Sequence, residues 1–126
     1  MFNDFEVIHS YTRAEALADG VLIDVSETAK ETGFTVPVAM TTRLWHEHIT
    51  PGEADRDSGQ SERGRLWDVL SVLYWTIKGS SQEGPETRFK TDFIMEGKPE
   101  TVEMYAVIGP GDSMEPVITI MLIGED

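Results

Sequence analysis

The sequence predicts an α+β fold in which one long helix lies across a small antiparallel sheet of three to four strands, preceded by short N-terminal helices. Between positions 66 and 77, apolar residues recur every three or four positions, as they do on one face of a helix. In the last third of the chain, apolar and polar residues alternate in runs separated by glycine-containing turns, as they do in strands. A length of 126 residues favours one α+β domain spanning 1–126.

Short helices and extended segments alternate at the start of the chain. Thr12 and Glu15 have the spacing of a capping box, which predicts a helix from Arg13 to Asp19. The residues from Val21 to Val25 are rich in β-formers and predict an extended segment.

A second and a third helix follow. Ser26 is predicted to cap the second helix, and Gly33 to end it. Residues 34–38 read as extended, and Pro37 favours an edge or a connection over a central strand. Residues 42–49 predict a third helical segment.

The long helix is the strongest local signal. Residues 51–64 are almost devoid of apolar side chains and predict an exposed loop before it. The apolar stripe of the helix consists of Leu66, Val69, Leu70, Leu73 and Ile77. Trp67, Tyr74 and Trp75 lie off that stripe, and three large rings predict a helix packed on two sides.

Three strands are predicted after the helix, at residues 88–95, 102–108 and 117–123, as an antiparallel meander. The second strand should bury one face, made of Val102, Met104, Ala106 and Ile108, and expose Glu103 and Tyr105. The third is almost entirely apolar, which predicts a central strand covered on both faces.

The composition excludes several classes of function. The chain has 23 acidic residues against 10 Lys and Arg, for a formal net charge of -13, so it repels phosphate and should not bind nucleic acid directly. Without cysteine it has no disulfide, thiolate metal site or cysteine nucleophile. The acidic N-terminus and the lack of a long apolar run predict a soluble, cytoplasmic protein without a membrane partner.

The acidic residues concentrate at the two ends of the sequence. Residues 1–35 carry seven acids and two bases, and residues 109–126 carry four acids and no base. If the ends lie together, they form one strongly negative face that can attract a basic surface. The candidate partner-binding residues are Glu53, Asp55 and Asp57 in the predicted loop, and Asp112 and Glu115 in the turn before the last strand.

No catalytic, cofactor-binding or metal-binding residues are predicted. His46 and His48 point about 200° apart on a helix, so they can share a metal only in an extended segment. Asp112, Ser113 and Glu115 occupy the kind of loop that often carries catalytic groups, but turn chemistry also accounts for them. The third histidine, His9, is distant in sequence.

Several stretches are similar to an uncharacterised family of small acidic bacterial proteins carried on plasmids, phages and integrative elements. The matching residues are Ser10–Gly20, Ile23–Ala29, Pro37–Ala39, Gly64–Leu70, Ile108–Asp112 and Glu115–Met121. The resemblance brings no known activity or site residues. It implies a genetic context in which accessory proteins often inhibit or modulate host machinery.

Charge and resemblance together predict a non-enzymatic, acidic protein-binding module that engages a basic surface of a host protein. The hypothesis extends to a nucleic-acid mimic that inhibits a defence complex of the restriction or CRISPR type. The alternative is a small enzyme or small-molecule-binding domain, with its site near Trp67, Trp75 and the Gly109–Pro116 loop. Neither hypothesis predicts an oligomeric state.

Overall fold

The computed structural model describes residues 11–79 and 84–125. The helices are α1 (Arg13–Ala18), α2 (Ser26–Thr32), α3 (Thr42–Leu44), which continues as a π-helical turn (Trp45–Ile49), α4 (Glu53–Asp57) and α5 (Glu62–Gly79). The strands are β1 (Leu22–Asp24), β2 (Val38–Thr41), β3 (Glu86–Met95), β4 (Lys98–Pro110) and β5 (Pro116–Leu122). The predicted α+β class, the single long helix and the short helices before it are confirmed.

The strands form one five-stranded sheet in the order β1-β2-β5-β4-β3. Strands β3, β4 and β5 are the predicted antiparallel meander. The prediction of a purely antiparallel sheet of three to four strands is wrong, because β2 pairs parallel to β5 and β1 pairs antiparallel to β2. The pairing of Val38 with Ile118 joins residues that are far apart in sequence, and no local pattern encodes such a contact.

Strand β2 lies inside the sheet, between β1 and β5. Residues 34–37 are a connection, as Pro37 indicated, but the chain then enters an interior strand at Val38. The proline stands before the strand and removes no hydrogen bond from the ladder. Its carbonyl oxygen accepts a hydrogen bond of 2.9 Å from the amide of Ile118.

The N-terminal helices follow the sequence signals closely. Thr12 and Glu15 form the predicted capping box of α1, in which each side chain accepts from the other residue's backbone amide. Ser26 is the first residue of α2 rather than its cap, and its hydroxyl accepts instead from the amide of Val38. Gly33 ends α2 as predicted, with a φ of 120°.

Helix α5 packs its predicted stripe onto the sheet, and the side chains of Val69, Leu70 and Leu73 are completely buried. Helix α2 contacts α5 at Gly33. A side chain there would meet the ring of Tyr74 at 2.6 Å, so only glycine allows this approach.

The second face of α5 is not packed as predicted. Trp75 is 70% exposed and Trp67 is 39% exposed. Tyr74 is half-buried and packs edge-on against Phe34, with ring centroids 5.6 Å apart. The aromatic residues therefore divide between the core and solvent: Tyr74 faces the end of α2, whereas Trp75 contacts the edge of the Tyr74 ring, with centroids 5.4 Å apart, and is otherwise exposed.

The β3–β4 hairpin turns at Glu96 and Gly97, whose φ angles are both positive, at 53° and 78°. On β4, Val102, Met104 and Ala106 are buried as predicted, but Ile108 is 40% exposed and Tyr105 is buried. Ile108 lines an open cavity of about 240 Å³ together with Tyr74 and Ile77 of α5.

Residues 51–64 are not the exposed loop that their composition predicted. They contain α4 and the first turn of α5, and they bury Pro51 and Asp55. The π-helical turn precedes them, closed by a hydrogen bond from the Thr50 amide to the carbonyl of Trp45. The wider turn places Leu44 and Ile49, five residues apart, on the same buried face.

Gly79, Ser80 and Ser81 predict the end of the long helix, and the structure describes only the first of these residues. The helix ends at Gly79, and Ser80 and Ser81 lie outside the described residues.

Among the helices of the described part of the chain, none has both the length and the apolar character needed to span a membrane.

Replacing Leu70 or Leu73 by alanine should lower the free energy of unfolding by about 2 to 5 kcal/mol, because each change leaves a cavity in the core. Both side chains are 0% exposed. Urea unfolding measures the effect. Val21→Ala, at a residue 51% exposed, is the control. Losses below about 1 kcal/mol for both leucine variants would contradict the assignment of the buried stripe.

Candidate functional site

The first helix and the turn before the last strand meet in space. The backbone amides of Arg13 and Ala14 donate hydrogen bonds of 2.8 and 3.0 Å to the carboxylate of Asp112. A carboxylate at this position satisfies amides that the first turn of α1 leaves free, and it complements the helix dipole. The two acidic ends of the sequence are therefore joined by a specific contact.

Five exposed carboxylates belong to α1, to the residues that follow it and to the β4–β5 loop, and we call them the acidic end surface: Glu15, Asp19, Asp24, Asp112 and Glu115. Asp24, Asp112 and Glu115 are close enough to Arg13 to act on its charge. The N-terminal acids Asp4 and Glu6 and the C-terminal Asp126 lie outside the described residues.

Arg13 is the base that lies among these acids, and its charge is directed into the protein. Its guanidinium donates to the hydroxyl of Thr119 at 2.7 Å and to the carbonyl of Ile118 at 2.8 Å. Burial lowers the pKa of Arg13, and the neighbouring acids oppose that shift. The outward charge of the surface is consequently negative.

Local hydrogen bonds hold these carboxylates in defined positions. Glu115 accepts from the amide of Ser113 at 2.9 Å. Asp19 accepts from the hydroxyl of Tyr11 at 2.8 Å, and this bond raises the pKa of Tyr11. Asp24 accepts from the amide of Ser26 at 3.0 Å. These bonds are those of caps and turns, and they orient the charges without neutralising them.

The other predicted partner-binding residues are Glu53, Asp55 and Asp57. All three lie in α4, but they differ in how far they are buried. Glu53 and Asp57 are exposed, with the basic Arg56 between them. Asp55 is 5% exposed, so its predicted position in an exposed loop is wrong. Its carboxylate faces inward because it accepts from the amides of Glu96 and Gly97, at 2.9 and 3.2 Å.

Asp55 also contacts Arg65, which is 2% exposed, at 3.4 Å. The guanidinium of Arg65 donates to the carbonyls of His48 and Ile94, at 3.0 and 2.5 Å. Sequence reasoning missed Arg65. The feature of the sequence that could have indicated Arg65 is that a basic residue stands directly before Leu66, on the buried face of the predicted helix.

The acidic end surface and the exposed acids of α4 lie at opposite ends of the sheet. The β3–β4 turn, which Asp55 holds, begins β4, and the loop with Asp112 follows its last residue. Strand β4 has 13 residues. At about 3.3 Å per residue, it separates the two groups by roughly 40 Å.

The cavities of the described residues do not join the tryptophans to the Gly109–Pro116 loop. A groove of about 520 Å³ runs between α2 and residues 33–37. A second groove, of about 540 Å³, separates α5 from β3. A small cavity of about 180 Å³ touches the loop through Asp112 and Glu115. Neither Trp67 nor Trp75 lines any of these three.

Two of the three histidines lie within the described residues, and they differ in exposure. His46 is exposed, whereas His48 stacks on Phe93 with ring centroids 6.0 Å apart. His9 lies outside the described residues. Within residues 11–79 and 84–125, no three His, Cys, Asp or Glu side chains are grouped so that they could hold a metal ion.

Comparison with known families places the whole sequence, residues 1–126, in a family described as a family of unknown function, DUF6573. The chain belongs to this family. No curated protein and no solved structure matches it. The family agrees with the resemblance noted from sequence in being uncharacterised, and it carries no activity or site residues.

Asp55→Asn should destabilise the protein at neutral pH and remove part of its acid sensitivity. Hydrogen bonds from Glu96 and Gly97, with Arg65 nearby, lower the pKa of Asp55 in the folded state. Its stabilising effect is therefore complete above about pH 4, the unfolded value, and is lost as the pH falls through the lower folded pKa.

Urea midpoints of wild type and Asp55→Asn between pH 7 and pH 3 measure this effect. The gap between the two should be widest near neutrality and should narrow below about pH 4. Asp57→Asn, an exposed residue of the same helix, is the control and should show a small, constant gap. A gap for Asp55→Asn that stays constant down to pH 3 would contradict the proposed ionisation.

Proposed function

We propose that this protein is a non-enzymatic binding module that uses its acidic end surface to engage a basic surface of a host protein. The observation that carries the proposal is the contact of Asp112 with the amides of Arg13 and Ala14. It brings acids from both ends of the sequence onto one surface, where their potentials add.

Two further features favour the acidic end surface, rather than α4, as the partner-binding surface. Helix α4 alternates its exposed acids with Arg56, which forms a 3.9 Å ion pair with Glu62. Around α1, by contrast, the guanidinium of Arg13 is directed toward Thr119 and the carbonyl of Ile118. The negative charge around α1 is therefore less compensated by nearby basic groups than the negative charge around α4.

The finer hypothesis is that the surface presents carboxylates where a nucleic acid would present phosphates. Such a surface fits the basic channel that binds nucleic acid in a restriction or CRISPR complex. The resemblance to proteins of mobile elements favours a partner of this kind. Opposite fields accelerate association, and salt screens them beyond a Debye length of about 8 to 10 Å. Binding of this kind weakens steeply between about 50 and 200 mM salt.

The triple variant Glu15→Gln, Asp24→Asn, Glu115→Gln should lose the partner while keeping the fold. Each of these three carboxylates accepts its backbone hydrogen bond with a single oxygen, which the amide retains, so three charges are removed without removing the caps. The matched control is Glu53→Gln, Asp57→Asn, Glu96→Gln, which removes three exposed charges at the opposite end of the sheet.

Capture from a lysate of the native host at about 50 mM salt identifies the partner, and association rates from 50 to 200 mM salt then test the mechanism. The control triple variant should retain the partner, and the first triple variant should associate at least about tenfold more slowly. A partner that binds both variants equally, or that binds independently of salt, would contradict the proposal.

A further inference from the structure

Two cavities adjoin along the segment that joins α2 to β2. The groove of about 520 Å³ is lined by Lys30 of α2 and by residues 33–37. The open cavity of about 240 Å³ lies between the same segment and α5, and residues 33–36 line both spaces. We call the two spaces together the α2–α5 groove.

The walls of the α2–α5 groove are mainly apolar. Tyr74 reaches its position in the wall because Gly33 has no side chain, since a Cβ atom there would lie 2.6 Å from the tyrosine ring. Ile108 is 40% exposed, so part of this apolar surface is open to solvent. The apolar and aromatic side chains next to α5 are Phe34, Val36, Tyr74, Ile77, Ile108 and Ile118.

The groove offers few polar side chains to a ligand. The hydroxyl of Ser26 is already bonded to Val38, because it accepts from the amide at 3.0 Å and donates to the carbonyl at 3.3 Å. A peptide laid along the apolar walls would bury backbone amides and carbonyls without enough hydrogen-bond partners, which costs free energy. A hydrocarbon chain has no such groups, so the walls favour it over a peptide.

Each part of the α2–α5 groove carries one exposed lysine. Lys30 lines the part beside α2, and Lys78 lines the part beside α5, where its ammonium lies 5.4 Å from the centre of the Tyr74 ring. Neither ammonium forms an ion pair with a described residue. The groove therefore offers two positive charges to a ligand.

The charge around the α2–α5 groove is opposite to that of the other cavities. No described residue that lines it is acidic, although the chain has a formal net charge of -13. The groove beside β3 is lined by Asp68 and Asp92, and the small cavity beside the β4–β5 loop by Asp112 and Glu115. An anion is therefore attracted to the α2–α5 groove and repelled from the other two cavities.

We propose that the α2–α5 groove binds a small amphipathic anion, with one carboxylate on an apolar body of the size of a medium-chain fatty acid. The apolar body contacts Phe34, Tyr74 and Ile77, and the carboxylate stays at the rim, where the two lysines attract it. None of the five acids of the acidic end surface lines the groove, so this site is independent of the proposed partner contact.

Isothermal titration calorimetry with decanoate, below its micelle concentration, tests the proposal. The wild-type protein should bind one decanoate per chain with saturation in the micromolar range. Decanol has the same chain length without the charge, and it should bind at least about tenfold more weakly because the lysines no longer attract it.

The double variant Lys30→Gln, Lys78→Gln should raise the dissociation constant for decanoate about tenfold or more and leave that for decanol unchanged. The matched control is Lys90→Gln, Lys98→Gln, which removes two exposed lysine charges from the β3–β4 hairpin and should bind decanoate like the wild type. Ile108→Trp, at an exposed position, narrows the groove and should weaken both ligands with an unchanged circular dichroism spectrum.

The proposal would be overturned by a wild type that does not bind decanoate with saturation, or that binds decanol equally well. Equal weakening of decanoate binding by both double variants, or wild-type binding by the Lys30→Gln, Lys78→Gln variant, would overturn it too. A protein that binds phosphatidylglycerol vesicles or an acidic peptide but not free decanoate would give the first of these results.

Discussion

The buried contact between Arg65 and Asp55 holds together one end of the molecule. Arg65 belongs to the long helix, yet it binds the carbonyls of the π-helical turn and of strand β3, while Asp55 binds the amides of the hairpin turn. Both side chains are almost fully buried, so each depends on the other to offset its desolvation. The long helix, the π-helical turn, α4 and the β3–β4 hairpin therefore take their relative positions from one pair of charges.

At the other end of the sheet, Asp112 has the corresponding role. It satisfies the first amides of α1 and so fixes that helix against the β4–β5 loop. The consequence is electrostatic as well as structural. Acids that the sequence separates by about a hundred positions share one surface, and Arg13, the base among them, is turned inward. The same contact that caps α1 thus places acids from both ends of the sequence on one surface.

The local patterns were sufficient for most of the elements, with α4 as an exception, but not for their arrangement. The capping box at Thr12, the stripe of α5 and the β3–β4–β5 meander follow from residue types at short spacing, because caps, helix faces and hairpins are made by neighbours in the chain. The acidity and its concentration at both ends were likewise readable from composition. The β2–β5 pairing, the burial of Asp55 and the exposure of Trp75 were not, because each depends on a contact, or the lack of one, with residues distant in sequence. The sequence by itself determined the long helix, the first helices, the hairpins and the charge. Tertiary packing decided that residues 53–57 form a buried helical turn, which strand lies inside the sheet, which carboxylate is buried and which acids share a surface.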